Sequence, residues 1–233
     1  MNPPRVAWRA LVWPVLLVCA ASQLWGEPTE TTGPTATPEA WTTVYSQSWD
    51  TTGDLTLGDL FVLDGEFAPV RDNGNALVRL PGAPLGDFGA LFGPRMAAPY
   101  AVSIRIHAEA SGRRTPEFGL GGQGVRGYRL TVRPSARRLV LLTGEVELVS
   151  VPFRWRGGQW TELSLRVEPA GEDTVTVHGT VRQPNAGTEP ATLTYTDADP
   201  PRAGRPSFWG RPFASRPIDF DDLRVLRPSS HAP

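Results

Sequence analysis

From residue 41 onward, the chain is divided into short apolar runs that alternate with polar residues and end at turn-forming residues. Segments 102–107, 128–132 and 163–167 each alternate strictly between apolar and polar side chains. This period of two is typical of a strand that buries one face and exposes the other. No stretch has helical periodicity longer than about two turns. The pattern therefore restricts the chain to β structure.

Turn signals between the runs are frequent, because the 233 residues include 24 glycines and 24 prolines. About ten to twelve short strands in roughly 185 residues predict an all-β fold, a two-sheet antiparallel jelly-roll sandwich. No internal repeat is present, so we expect one domain at residues 44–227. The Arg-Gly-Gly-Gln sequence at 156–159 is expected to form a hairpin turn.

The first 22 residues have the pattern of a secretory signal peptide. Arg5 and Arg9 precede an apolar segment at 11–19, which is followed by small residues. This segment is too short for a membrane span, and residues 23–43 are predicted to be a Pro/Thr-rich linker. We expect a secreted or periplasmic protein with a short tail at 228–233. Lipidation at Cys19, the only cysteine, is the alternative.

The charge of the chain argues against a nucleic-acid partner, because the net charge is −1 at pH 7. All 23 basic side chains other than histidine are arginines, and eight of them lie between residues 105 and 138. Arg129 and Arg133 are predicted to share one strand face, where forked guanidinium contacts suit an anionic polysaccharide. The alternative is that both residues lie on a solvated outer face.

Aromatic residues in loops are candidate sugar platforms, since binding residues concentrate on loops and aromatic rings offer a large apolar face. Trp155 is predicted on one arm of the hairpin, and Phe208 and Trp209 in a Pro/Gly-rich loop. All three are candidate ligand-binding residues. Trp160 begins an alternating strand and is predicted to belong to the core.

The segment 218–226 is predicted to form a closing strand with Asp221, Leu223 and Val225 on its core-facing side. An inward carboxylate is unfavourable unless it meets a cation, an arginine or several N–H donors. Arg211 and Arg216 are candidate partners. Asp222, on the opposite face, is expected to be solvated.

Four segments resemble the concanavalin A-like lectin/glucanase superfamily: Asp-Gly-Glu-Phe-Ala-Pro-Val at 64–70, the glycine-rich stretch 118–130, Gly-Gln-Trp-Thr at 158–161 and Phe-Asp-Asp-Leu-Arg-Val at 220–225. The resemblance covers residues 44–227 and implies a jelly roll of two curved sheets. It also implies a structural Ca²⁺ at the sheet edge, with Asp221 as the candidate ligand. The superfamily includes lectins, glycosidases, laminin G-like modules and 3-keto-disaccharide hydrolase domains.

The sequence lacks the Glu-x-Asp-x-Glu or Glu-x-Asp-x-x-Glu run that glucanases of this fold use for acid/base chemistry. The Gly-x-Gly-x-x-Gly string at 119–124 precedes a predicted strand rather than the helix that dinucleotide binding requires; its glycines are expected to permit a bend or lie under an aromatic ring. We therefore expect a non-catalytic domain that binds glycan or another cell-envelope ligand. The alternatives are a sugar hydrolase similar to the 3-keto-disaccharide hydrolase domains and a structural or protein-interaction module.

Overall fold

The computed structural model describes residues 40–50 and 55–229. The predicted signal peptide, Cys19, most of the predicted linker and the last four residues lie outside this part of the chain. Fifteen strands occur in the described part: β1 Trp41–Gln47, β2 Phe61–Asp64, β3 Ala68–Asp72, β4 Asn75–Leu80, β5 Phe88–Leu91, β6 Tyr100–Ala108, β7 Glu117–Gly122, β8 Tyr128–Arg133, β9 Arg138–Thr143, β10 Val146–Pro152, β11 Thr161–Pro169, β12 Val175–Arg182, β13 Ala191–Asp197, β14 Ser207–Arg211 and β15 Ile218–Pro228.

The strands form two antiparallel sheets. Sheet A has the order β13-β12-β11-β6-β15-β4-β3, with β1 also paired to β15, and sheet B has the order β10-β9-β8-β7-β14-β5-β2. The one helical element of the described residues is a 3-10 turn at Pro134–Ala136. In residues 40–50 and 55–229, no helix has the length and apolar character needed to cross a bilayer. The predicted all-β jelly-roll sandwich is confirmed.

The core lies between the sheets, because alternate side chains of both sheets point inward. On β6, every second residue from Tyr100 to Ala108 is buried, and β11 and β12 repeat this pattern. The ring of Phe208 lies 4.5 Å from Phe220 and 5.3 Å from Phe67, centroid to centroid. Phe208 is fully buried, so its prediction as a ligand-binding residue is wrong. It occupies the inward position of β14 rather than a loop.

Two other predictions need correction. Segment 156–159 is not a hairpin turn, because it joins β10 of sheet B to β11 of sheet A, and these strands do not pair. The sandwich also begins at Trp41, inside the segment predicted as linker, because β1 pairs along the end of β15 with Trp41 opposite Pro228. The turn signal was correct at 156–159, but local sequence does not show which sheet the next strand joins.

A β-bulge in β15 reverses the predicted orientation of Asp221. Along β6, Asp221 lies opposite Arg105 and Arg224 lies opposite Ser103, so β15 has one extra residue at this point. The bulge includes Asp222, whose φ is 51°. Asp221 therefore points to the outer face of sheet A, whereas Leu223 and Val225 point into the core. The prediction that these three residues share a face is wrong.

Candidate functional site

The outer face of sheet A has a polar groove, which we name the sheet A groove. Three adjoining cavities of about 280, 420 and 480 Å³ form it. Arg105 lines the first and second cavities, and Asp222 and Arg224 line the second and third. Since neighbouring cavities share lining residues, they adjoin one another on the outer face of sheet A, with Trp160 at one end and the end of β1 at the other.

Trp160 is the aromatic residue at one end of the groove. The guanidinium carbon of Arg105 lies 4.6 Å from its ring centroid, and the His107 ring lies 5.5 Å away. The prediction that Trp160 belongs to the core is wrong, because Thr161 takes the inward position together with Leu163. Trp160 consequently shares the outer face of sheet A.

Asp219 is a buried carboxylate beneath the Trp160 end of the groove. Arg79 donates two hydrogen bonds to it, from Nε at 2.7 Å and from a terminal nitrogen at 2.9 Å. His107 Nδ1 lies 3.8 Å from its Oδ2. Burial opposes ionisation, but Arg79 and His107 outweigh burial and hold the pKa of Asp219 below its usual range. Asp219 in turn raises the pKa of His107.

Asp221 lies two residues further along the same face and has no cationic partner among the described residues. Its Oδ2 accepts a hydrogen bond from Asn75 Nδ2 at 3.0 Å, and its Oδ1 accepts one from the backbone N–H of Asp222 at 2.8 Å. Burial is the main cause that raises the pKa of Asp221, and the charges of Asp222 and Asp50 add to it. The predicted partners Arg211 and Arg216 pair with other carboxylates.

Asp222 is partly exposed, and it also accepts a hydrogen bond from Arg105 at 2.9 Å. The carboxylates of Asp50 and Asp222 lie near Asp221, and Asp222 is paired with Arg105. The described residues contain no group of three or more His, Cys, Asp or Glu side chains arranged to hold a metal ion. A cation at Asp221 would therefore need backbone carbonyl oxygens as its further ligands.

The outer face of sheet B carries three predicted site residues, and all three make close contacts with neighbouring side chains. Trp209 lies in β14 with its ring on glycine positions, since a Cβ at Gly89 would lie 2.6 Å from its Cε3. The guanidinium carbon of Arg129 lies 4.4 Å from the Trp209 ring centroid and covers the ring. Two hydrogen bonds of 2.8 and 2.7 Å hold Arg129 to Asp87. Both faces of the indole are thus occupied.

Arg133 shares the outer face of β8 with Arg129, as the alternation predicts. Its guanidinium lies 3.7 Å from Glu117 and 3.5 Å from Glu147. The expected interpretation of the glycine-rich stretch is confirmed at Gly122, because a Cβ there would lie 2.8 Å from the Cε2 ring carbon of Tyr100. Sheet B therefore presents paired charges rather than a free basic face.

Trp155 lies apart from both sheet faces, in the segment that joins β10 to β11. It is half-buried, its ring packs edge-on against Phe118 at 5.8 Å, and its Nε1 donates to Thr161 Oγ1 at 3.2 Å. It lines a cleft at the edge of the sandwich. The structure thus distributes the predicted ligand-binding residues over the core, the face of sheet B and this edge.

Sequence reasoning missed the residues that surround the Trp160 end of the groove: Asn75, Arg79, Arg105, His107 and Asp219. Alternation on β6 already places Arg105 and His107 on an outer face. The pairing of Arg79 with Asp219 spans 140 positions, and no local pattern signals it. The residues come together only because β15 lies between β4 and β6.

Comparison with known proteins adds information on the fold. No protein-family model matches the sequence, and no curated protein matches it significantly. A Bacillus subtilis protein of unknown function with a galectin-like fold is similar in structure, with a TM-score of 0.57, 12% identity and coverage of 80% of this chain and 96% of that one.

Two further structures are similar at the same level. The alginate lyase of Aplysia kurodai has a TM-score of 0.52 and 15% identity over 80% of this chain and all of that chain. The exoplasmic/lumenal domain of VIP36, in a Ca²⁺/Man-bound form, has a TM-score of 0.52 and 10% identity over 77% and 88% of the two chains. At such identities the similarity concerns the fold alone. That fold is the concanavalin A-like jelly roll.

Proposed function

We propose that this chain is an exported, non-catalytic glycan-binding domain whose ligand lies in the sheet A groove. The observation that carries the proposal is the Trp160 end of the groove, where an indole ring with Arg105 over one face adjoins further polar side chains around a cavity. Sugar sites typically combine an apolar ring with a few convergent hydrogen-bonding groups. Asn75, Arg105 and His107 are such groups, and each lines the same cavity as Trp160.

The middle of the groove supports an extended and uncharged ligand. Ser103, Ser164 and Thr180 line it with hydroxyl groups. Its charged groups are paired with each other: Arg105 with Asp222, and Arg182 with Glu162. A surface with balanced charges favours hydroxyl-rich saccharides over polyanions. The exoplasmic/lumenal domain of VIP36, which has a similar fold, is known in a Man-bound form, and this supports the same ligand class.

Asp219 is poorly suited to act as the acid of a sugar hydrolase. A general acid for glycoside cleavage needs a carboxyl group that is protonated near neutral pH. Arg79 and His107 instead hold the pKa of Asp219 low, and both oxygens of the carboxylate are engaged by Arg79. The alternative of a sugar hydrolase similar to the 3-keto-disaccharide hydrolase domains therefore lacks its acid at this position.

The groove is tested by calorimetric titration of a neutral oligosaccharide panel into the wild-type protein and the Trp160→Ala variant. We expect the variant to lose at least about tenfold in affinity. Truncation of an aromatic anchor typically costs about 2 kcal/mol or more in binding free energy, and about 1.4 kcal/mol corresponds to tenfold. Trp41→Ala is the matched control: Arg166 covers Trp41 at 4.5 Å, but Trp41 lines none of the three cavities. Equal binding by wild type and Trp160→Ala would refute the proposal that the ligand lies in the sheet A groove.

Export to the periplasm or outside the cell would bring the domain to envelope glycans, its proposed partner class.

We also propose a structural Ca²⁺ at Asp221. The supporting observations are the buried carboxylate with its raised pKa and the negative charges of Asp50 and Asp222 beside it. Bound Ca²⁺ would neutralise this charge and tie the end of β1 to β15. The melting temperature with Ca²⁺ and with chelator tests this proposal.

A further inference from the structure

A cleft of about 630 Å³ lies at the edge of the sandwich, away from the sheet A groove. We name it the edge cleft. Three segments form it: 152–156 between β10 and β11, the turn 134–137 between β8 and β9, and 187–190 between β12 and β13. The cleft is lined by these connecting segments and not by the central strands of either sheet. It is therefore a separate site with its own chemistry.

The edge cleft is positively charged. Arg137, Arg154 and Arg156 line it, and Glu189 is the one acidic residue in its wall. None of these three arginines forms an ion pair with a described residue, whereas Arg129 and Arg133 of the neighbouring strand are both paired. A group of unpaired guanidinium groups around one cavity attracts anions and offers forked donors to a carboxylate.

Arg137 has a backbone conformation that other residues would adopt more easily. Its φ is 54° and its ψ is 45°, in the left-handed region at the end of the 3-10 turn. Glycine or asparagine is favoured at such a position because a longer side chain strains the backbone there. The side chain of Arg137 lines the cleft.

The frame of the cleft is rigid before any ligand binds. The buried side chain of Gln183 accepts a hydrogen bond from the backbone N–H of Arg156 at 2.9 Å and donates one to its carbonyl oxygen at 2.8 Å. The backbone N–H of Phe153 donates to the carbonyl oxygen of Arg137 at 2.9 Å. These bonds fix segment 152–156 against the turn, so little ordering is needed on binding.

The walls of the cleft are suited to a ring-shaped ligand. Trp155, Pro134, Pro152 and Pro190 provide apolar surface around the arginines. A small inorganic anion would use the arginines alone. A carboxylated pyranose would use both the arginines and the apolar walls.

We propose that the edge cleft binds an acidic saccharide, with the carboxylate of a uronic acid residue held by Arg137, Arg154 and Arg156 and its ring placed against Trp155. This inference shares with the proposed function the view that the ligand is a glycan, but it uses different residues. The domain would then engage uncharged sugars through its sheet A groove and acidic sugars through its edge.

The test is calorimetric titration of the full chain with a galacturonic-acid oligosaccharide, the matched galactose oligosaccharide and polyglutamate. We expect the uronate to bind about tenfold or more tightly than either comparison ligand, from one charge-assisted carboxylate contact. Arg137→Gly, Arg154→Gln and Arg156→Gln should each weaken uronate binding by about tenfold. Arg138→Gln is the control, since Arg138 pairs with Glu147 outside the cleft.

Arg137→Gly separates binding from folding, because glycine suits this backbone position. The variant should melt no lower than the wild type while it loses the uronate. Equal affinity for uronate and galactose oligosaccharides, or full affinity in Arg137→Gly, would overturn the proposal. Equal affinity for polyglutamate would show a site for charge alone and would overturn it too. Trp160→Ala should keep uronate binding, so that failure at the edge and failure in the groove are distinguishable.

Discussion

Asp219 and Asp221 lie two residues apart on the same strand and the same outer face, and both are buried. Asp219 meets Arg79 and His107, and its pKa falls. Asp221 meets the amide of Asn75 and one backbone N–H, and its pKa rises. The burial is similar, but the partner from β4 is a guanidinium in one case and an amide in the other. The comparison shows that the neighbouring strand, rather than burial, decides the charge behaviour of a carboxylate here.

The largest effect should come from removal of the cation that distinguishes the two sites. In Arg79→Met, the buried carboxylate of Asp219 loses its main partner, and the free energy of unfolding should fall by about 3 kcal/mol or more. Urea unfolding of both proteins measures this change. Arg166→Met is the control, because the pair Arg166–Glu168 is exposed and should contribute about 0–1 kcal/mol. Equal losses in both variants would contradict this account of Asp219.

A smaller effect of opposite sign is expected at Asp221. In chelator at pH 7, Asp221→Asn should raise the free energy of unfolding by about 1 kcal/mol or less, because it removes a buried charge without a cation. Ca²⁺ should raise the melting temperature of the wild type but not that of the variant. A wild type that does not respond to Ca²⁺ would refute the proposed metal site.

The pH dependence should separate the two carboxylates. The folded pKa of Asp221 is above its unfolded value, so its cost is complete above the folded pKa and absent below about pH 4, the unfolded pKa. The gain in Asp221→Asn should therefore vanish in acid. The folded pKa of Asp219 is below its unfolded value, so its stabilisation is present above about pH 4 and is lost as the pH falls through the folded pKa. Denaturant unfolding between pH 3 and 7 measures both.

The smallest effect concerns His107, the second partner of Asp219. Its raised pKa means that the protonated ring stabilises the fold fully below about pH 6.5, and that this contribution is lost as the pH rises through the folded pKa. His107→Gln should lower the free energy of unfolding by about 0.5 kcal/mol at pH 6 and by less at pH 9. An equal loss at both pH values would indicate a packing role instead.

The fold class was predictable because strand alternation and turn residues are local signals. Segments 102–107 and 163–167 lie in strands as expected. The same signals failed at Phe208 and Trp209, where prolines and glycines suggested a loop but the residues form an interior strand of sheet B. Glycines there accommodate the indole ring of Trp209, and this packing reason is not visible in the turn pattern.

The candidate site was less predictable than the fold. Trp155 was recognised as a ligand candidate, but the unpaired arginines around it come from two separate connections. Arg129 and Arg133 share a strand face, as the alternation required, yet Asp87, Glu117 and Glu147 neutralise them. Whether an arginine is free or paired depends on which strands are adjacent, and strand order is not encoded in any short segment.

The sequence alone determined that this chain is an all-β jelly roll, because the period of two and the turn residues act over a few neighbouring positions. Only the tertiary structure decided on which face of the sheet each residue of β15 lies, since one bulge at Asp222 changes the side to which the following residues point. It also decided that Asp219 meets Arg79 while Asp221 meets Asn75. The physical reason is that the charge state and the availability of a side chain depend on partners far away in sequence, which only the packed sheets bring together.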